Sequence, residues 1–123
     1  MRKFLAISWL IALALAMLTP GTELPEVDLF NFQDKVIHLL TFAVQGYLWS
    51  GIGIQKDQVF LKNPKIQRNF FLFGILIGVF LESLQQFIPN RSFEFMDMMA
   101  NALGASLGLV GYLKWPFIKY ILD

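Results

Sequence analysis

Residues 81–104 read LESLQQFIPNRSFEFMDMMANALG, and how this stretch is read decides the fold. It crowds Glu82, Gln85, Gln86, Arg91, Asp97 and Asn101 together in a chain of 123 residues that is 56% hydrophobic, with a mean hydropathy of +0.56. An apolar run ends near Pro89 and a second begins a few residues later. Two helices joined by a short turn would put all six polar groups at one end of the pair. Membrane strands would alternate apolar and polar residues in short segments, and these runs do not.

Working outward, runs low in charge cover about 4–19, 36–54, 69–88 and 96–113. Every Lys and Arg lies outside them, and Glu82 and Asp97 are the acids inside. A bilayer core about 30 Å thick takes about 20 helical residues. The expected fold is therefore an all-α membrane protein, residues 1–123 forming a single domain: a compact antiparallel bundle of four transmembrane helices. Residues 114–123, with Pro116, Trp115 and Tyr120, read as a short interfacial tail. The first run also has the basic start, apolar core and small-x-small triplet (Ala14-Leu15-Ala16) of a secretory signal peptide.

Composition excludes several classes. The chain has no cysteine, so disulfides, thiolate metal sites and cysteine nucleophiles are ruled out. His38 is its one histidine, and paired-histidine zinc spacings are absent. No cofactor is expected and no metal site is assigned. A net charge of +1 offers no basic face for nucleic acid.

The segments between the runs alternate in charge. Arg2 and Lys3 precede the first run, Glu23, Glu26, Asp28 and Asp34 dominate 20–35, and Lys56, Lys62, Lys65 and Arg68 dominate 55–68. Basic residues accumulate in cytoplasmic loops. Both termini and the second loop are thus expected in the cytoplasm, with Asp34, Arg91 and Asp97 at the outer surface.

Residues three and four apart share a helix face. One stripe holds Asp34, His38, Thr41 and Gln45; another Gly74, Gly78, Glu82 and Gln86, with Gln85 alongside; a third Asp97, Asn101, Gly104, Gly108 and Gly111. Small residues let membrane helices approach, and polar ones bond across the contact. Gly74, Gly78, Gly104 and Gly108 are therefore expected at helix contacts. At 1.5 Å per residue, His38 lies about 6 Å inward of Asp34, Asn101 about 6 Å inward of Asp97, and Glu82 about 10 Å inward of Pro89. His38, Glu82 and Asn101 should meet in one layer, with Arg91 above. Interhelical glue, at about 0.6 kcal/mol per contact, is the plainer reading for Thr41, Gln45 and Gln85. An ionisable group as deep as Glu82 is a functional candidate by default.

Three motifs then resemble the VanZ-like family of bacterial membrane proteins, associated with teicoplanin resistance: DKVIH at 34–38, ESLQQFIPNR at 82–91 and DMMANALGASLG at 97–108. Carried over by position, the family pattern falls on Asp34, Lys35, His38, Glu82, Gln86, Arg91, Asp97, Asn101, Gly104 and Gly108, with Gln85 an alternative to Gln86. The resemblance implies a multi-pass protein of the bacterial cytoplasmic (inner) membrane, a role in the cell envelope and a retained first helix. It names a residue set rather than a reaction.

Three functions stay open. In the first, an outward-facing ligand-binding site made of Asp34, Lys35, His38, Glu82, Gln86, Arg91, Asp97 and Asn101 holds an anionic envelope lipid or cell-wall precursor. Lys35 and Arg91 would take the phosphate or carboxylate. In the second, an intramembrane enzyme acts on a lipid-linked or peptide substrate. His38, Glu82 and Asp97 are then its candidate catalytic residues, as acid and base or, with Asp34, around a metal. The third is a small proton or solute conductor using Glu82 and His38 as a relay. The lipid bilayer is the expected environment, and the outward apolar faces would accommodate an oligomer.

Overall fold

The computed structural model describes residues 1–20, 33–89 and 92–116. Among them the chain is entirely helical. Arg91, the acids Glu23, Glu26 and Asp28 of the first loop, and the tail beyond Pro116 lie outside the described residues.

The first helix, α1 (Arg2–Leu18), is rich in Ala and Leu, both strong helix formers. It stops at Thr19, whose extended backbone is what a residue before proline requires. Arg2, Ala6, Leu13 and Met17 make its buried face. The second helix, α2 (Gln33–Ser50), ends four residues before the apolar run does. Gly51 and Gly53 follow, and Gly53 takes a φ of +74°, which glycine adopts without penalty. A single 3-10 turn at Lys56–Gln58 leads to Asn63, whose side chain accepts from the Lys65 N–H at 2.9 Å and donates to the Gln58 carbonyl at 2.8 Å.

With Asn63 as N-cap and Pro64 at the first helical position, α3 runs Pro64–Gln85. It thus begins five residues before the expected start at 69, and Lys65 and Arg68 sit on its opening turns rather than in a loop. By length and composition α3 alone among the described helices is long and apolar enough to cross a membrane. Its middle, Phe70–Leu76, is π-helical. There the Gln45 amide bonds the Phe73 carbonyl at 3.1 Å, and the Phe73 ring stacks on Trp49 with centroids 3.9 Å apart. A side chain reaching into the ladder is a recognised cause of such irregularity. The last helix, α4, spans Phe95–Lys114.

The seam between α2 and α4 is the centre of the molecule. A Cβ placed on Gly104 would lie 2.2 Å from the Leu39 carbonyl oxygen, and one on Gly108 would lie 2.1 Å from that of Ala43. Both positions advance together along the two helices, so this closest pair runs parallel. The antiparallel relation holds between helices successive in sequence. Gly46 closes the same seam from the other side, against the Ala105 backbone. Gly78 of α3 faces Phe42 and Asn101, and Gly74 faces Ala105. Two apolar clusters flank the seam on α1: Ala6 with Leu48 and Trp49, and Leu13 and Met17 with Phe42 and Leu81. The Trp9 indole donates to the Thr41 carbonyl at 3.0 Å, and the Gln85 amide to the Met17 carbonyl at 2.9 Å. The first helix is therefore built into the bundle.

Large apolar side chains point outward on every helix: Ile11 and Leu15, Leu40 and Val44, Leu76 and Phe80, Leu103 and Leu107 are all exposed. Gln45, Ser50, Glu82 and Asn101 are fully or almost fully buried. Water-soluble domains place these residue types the other way round.

Candidate functional site

Buried polar groups gather at two ends of the bundle. At one end Arg2, which the sequence suggested only as a topology signal, is itself buried. Its guanidinium donates to the Tyr47 carbonyl at 2.6 Å, the Leu48 carbonyl at 3.1 Å and the Pro116 carbonyl. The first two belong to the last turn of α2, whose carbonyls have no intrahelical partner. The Tyr47 and Tyr112 rings lie 5.1 and 4.8 Å from the guanidinium carbon, within cation–π range. This end joins the start of α1 to the ends of α2 and α4.

At the other end three helices converge. From α2, His38 Nδ1 bonds Asn101 Oδ1 of α4 at 2.7 Å. As the Asn101 amide is oriented, Nδ1 carries the proton and donates, since a carbonyl oxygen only accepts. His38 Nε2 then faces Asp97 Oδ2 at 3.6 Å. The other Asp97 oxygen lies 2.9 Å from Lys35 Nζ, and Lys35 also pairs with Glu94. From α3, Glu82 Oε1 accepts the Glu94 N–H at 3.1 Å. Glu82 is 0% exposed, and its Oε2 has no hydrogen-bond partner. Asn101 Nδ2 is likewise buried without one. One donor atom each from His38, Glu82 and Asp97 lie within 4.8 Å of one another.

The helical geometry explains which predicted residues arrive. Steps of seven residues return to within about 20° of the same face of an α-helix, so Gly78 and Gln85 align, with Glu82 about 40° to one side. Steps of four drift by about 40° each, which carries Gln86 out of the Gly78–Glu82 face. Gln85 is buried and ties α3 to α1, whereas Gln86 is exposed. Asp34, one turn above His38, is also exposed. The structure thus brings together Lys35, His38, Glu82, Asp97 and Asn101 and leaves Asp34 and Gln86 outside. Lys35 is occupied by two carboxylates rather than held open for an anion. Thr41 bonds back to carbonyls of its own helix, while Gln45 bridges α2 and α3.

Two residues were missed from sequence. Glu94 supplies a backbone donor to Glu82 and a carboxylate to Lys35; its place three residues before Asp97, at the start of a helix, was the available signal. Gly46 lies in the seam, and the small residues Ala43, Gly46 and Ser50, spaced three and four apart, could have shown it.

A family model described as VanZ/LLP1 matches residues 4–119. No curated protein and no solved structure matches the chain.

Proposed function

The chain belongs to the VanZ/LLP1 family, and from that premise we propose that it is a four-span protein of the bacterial cytoplasmic membrane whose outward pole binds or handles the head group of an anionic cell-envelope lipid or cell-wall precursor. The observation that carries this reading is Glu82, a fully buried carboxylate with one oxygen unpartnered, beside the unpartnered amide nitrogen of Asn101. An unsatisfied buried polar group costs about 1–3 kcal/mol, more when charged. A bound molecule offering a donor to Glu82 Oε2 and an acceptor to Asn101 Nδ2 would recover that energy. Hydroxyl and amide groups, abundant in glycolipid and peptide-bearing precursors, do both. Charged parts of the head group would fall to Arg91, which lies between α3 and α4 in the sequence.

Charge placement supports the orientation, with basic segments inside and the Glu82 end outside. The apolar outer faces support four spans. Because the chain has no cysteine, single cysteines report topology directly. An impermeant thiol reagent applied from outside should label Ser92→Cys and miss Lys62→Cys, both at exposed positions. The reverse pattern would put the site in the cytoplasm. For the ligand, lipid mass spectrometry of purified wild type and Arg91→Ala should show an anionic lipid or precursor in the first and its loss in the second. Equal lipid content would overturn the reading, and teicoplanin susceptibility of a deletion strain gives the cellular counterpart.

A second reading, acid–base catalysis on the same head group, is favoured by one observation. His38 is oriented through Nδ1 by Asn101, with Nε2 facing Asp97, the arrangement of a positioned general base. Conduction has less support: inward of Asn101 the seam is backbone against backbone at Gly104 and Gly108.

A further inference from the structure

The His38 cluster holds more carboxylates than cations. Among the described residues, Lys35 pairs with Glu94 and Asp97, while Glu82 meets only the Glu94 N–H. His38 adds no compensation in the form its hydrogen bond implies. With Nδ1 donating to Asn101, a neutral ring turns its Nε2 lone pair toward Asp97 Oδ2, and one donor atom each of His38, Glu82 and Asp97 lie within 4.8 Å of one another. Lone pairs of three donor atoms converging in a buried space repel one another unless something positive lies between them. A proton on Nε2 is a poor fit. The Nε2–Oδ2 separation of 3.6 Å exceeds the range of an N–H···O hydrogen bond.

We propose that His38, Glu82 and Asp97 bind one divalent first-row metal ion, as a one-nitrogen, two-carboxylate site in the bundle core. A divalent cation would satisfy both the Glu82 and the Asp97 carboxylate at once. One imidazole with two carboxylates suits Zn²⁺ or Mn²⁺. Donor atoms around a tetrahedral zinc at its usual bond lengths lie about 3.3 Å apart. The His38–Asp97 separation of 3.6 Å is near that value, and the 4.8 Å limit of the set requires only a modest inward movement. Each proposed ligand is also oriented through a second atom. Asn101 holds His38 Nδ1, Lys35 holds Asp97 Oδ1, and the Glu94 N–H holds Glu82 Oε1. Outer partners of this kind fix ligand geometry in metal sites and raise ligand basicity. Glu82 Oε2, fully buried and without a partner, is then the third ligand atom. Three protein ligands leave a coordination position for water or for an oxygen of a bound molecule.

The site stands on this geometry whether or not a lipid binds there. If one does, the metal explains how an anionic head group is attracted to an acidic cluster.

The test uses tag-free full-length protein in nanodiscs of neutral phosphatidylcholine, stripped with a chelator and dialysed against Zn²⁺, with bound metal counted by elemental analysis. Wild type should retain one zinc per chain. Glu82→Gln should lose it, Asn101→Leu should bind about 10–100-fold more weakly, and Asp34→Asn should match wild type. A Cu²⁺-loaded wild-type sample gives a readout independent of any variant's folding. Pulsed electron paramagnetic resonance should show coupling to an imidazole nitrogen, for which this chain has one source. Sub-stoichiometric zinc in wild type, stoichiometric zinc in folded Glu82→Gln, or bound copper without imidazole coupling would each overturn the proposal. None of these outcomes depends on the lipid.

Discussion

The two ends of the bundle bury polar groups in opposite ways. At one, Arg2 meets backbone carbonyls at the ends of α2 and α4, acceptors that exist in any sequence forming those helices. At the other, side chains meet side chains, and Glu82 Oε2 and Asn101 Nδ2 are left over. Near the first end, Ser50 Oγ and Tyr112 OH are also buried without a partner, and both are neutral hydroxyls. The unpartnered atoms of the second end flank a carboxylate and a histidine. Burial alone therefore does not mark a site. What separates architecture from candidate chemistry here is whether the partners are fixed backbone atoms or titratable groups whose valences are incompletely used.

The harshest way to break this contrast is to remove the seam on which both ends depend. Gly108→Leu drives a side chain into the Ala43 backbone, which cannot retreat as a flexible side chain would. The expected result is failure to fold, or destabilisation beyond about 4–5 kcal/mol, seen as loss of the monodisperse peak in detergent. Gly111→Ala, whose new methyl would meet only the Tyr47 ring at 3.8 Å, should behave as wild type.

Next in size is Arg2→Met, which keeps much of the apolar stem but leaves three carbonyls without their donor. About 2–4 kcal/mol of stability should be lost, lowering the thermal midpoint, while zinc binding by the surviving folded protein is unchanged. Loss of zinc binding with Arg2 would show that the two ends are coupled.

Glu82→Gln should sharpen the contrast most, because it reverses the pattern. The shape stays and the charge goes, so stability should change by less than about 1 kcal/mol or rise, while metal and head-group binding disappear. Full retention of both would return Glu82 to interhelical glue. The smallest effect is expected for exposed Asp34→Asn, within about 0.5 kcal/mol in stability and without change in zinc retention. A large loss there would extend the site a turn further outward.

Much of the fold was legible because charge avoids the interior of each helix. The runs located all four helices of the described residues, and depth arithmetic placed His38, Glu82 and Asn101 at one level. The misses have local causes. Lys65 and Arg68 looked like loop residues, although the Asn63-Pro64 pair is a helix start that tolerates charges on its exposed first turns. Gly51 and Gly53 ended α2 inside an apolar run, which hydropathy does not register. Gln86 was grouped with Glu82 by a spacing of four, whereas the true helical phase selects Gln85. The π segment at Phe70–Leu76 has no sequence signature, since it depends on Gln45 of another helix. Arg2 had been read as a loop charge because its acceptors lie 45 to 114 residues away.

That last separation bears on the order of events during synthesis. Arg2 leaves the ribosome 114 residues before its acceptor at Pro116. Until α4 has been made, α1 must wait beside α2 with its cation only partly engaged. The bundle is then fastened by a late contact that joins the start of α1 to the end of α4. Loop closure over such a span is slow compared with the pairing of neighbouring helices. A chain stalled or cut before the end of α4 would hold most of the seam yet leave the Arg2 clasp open.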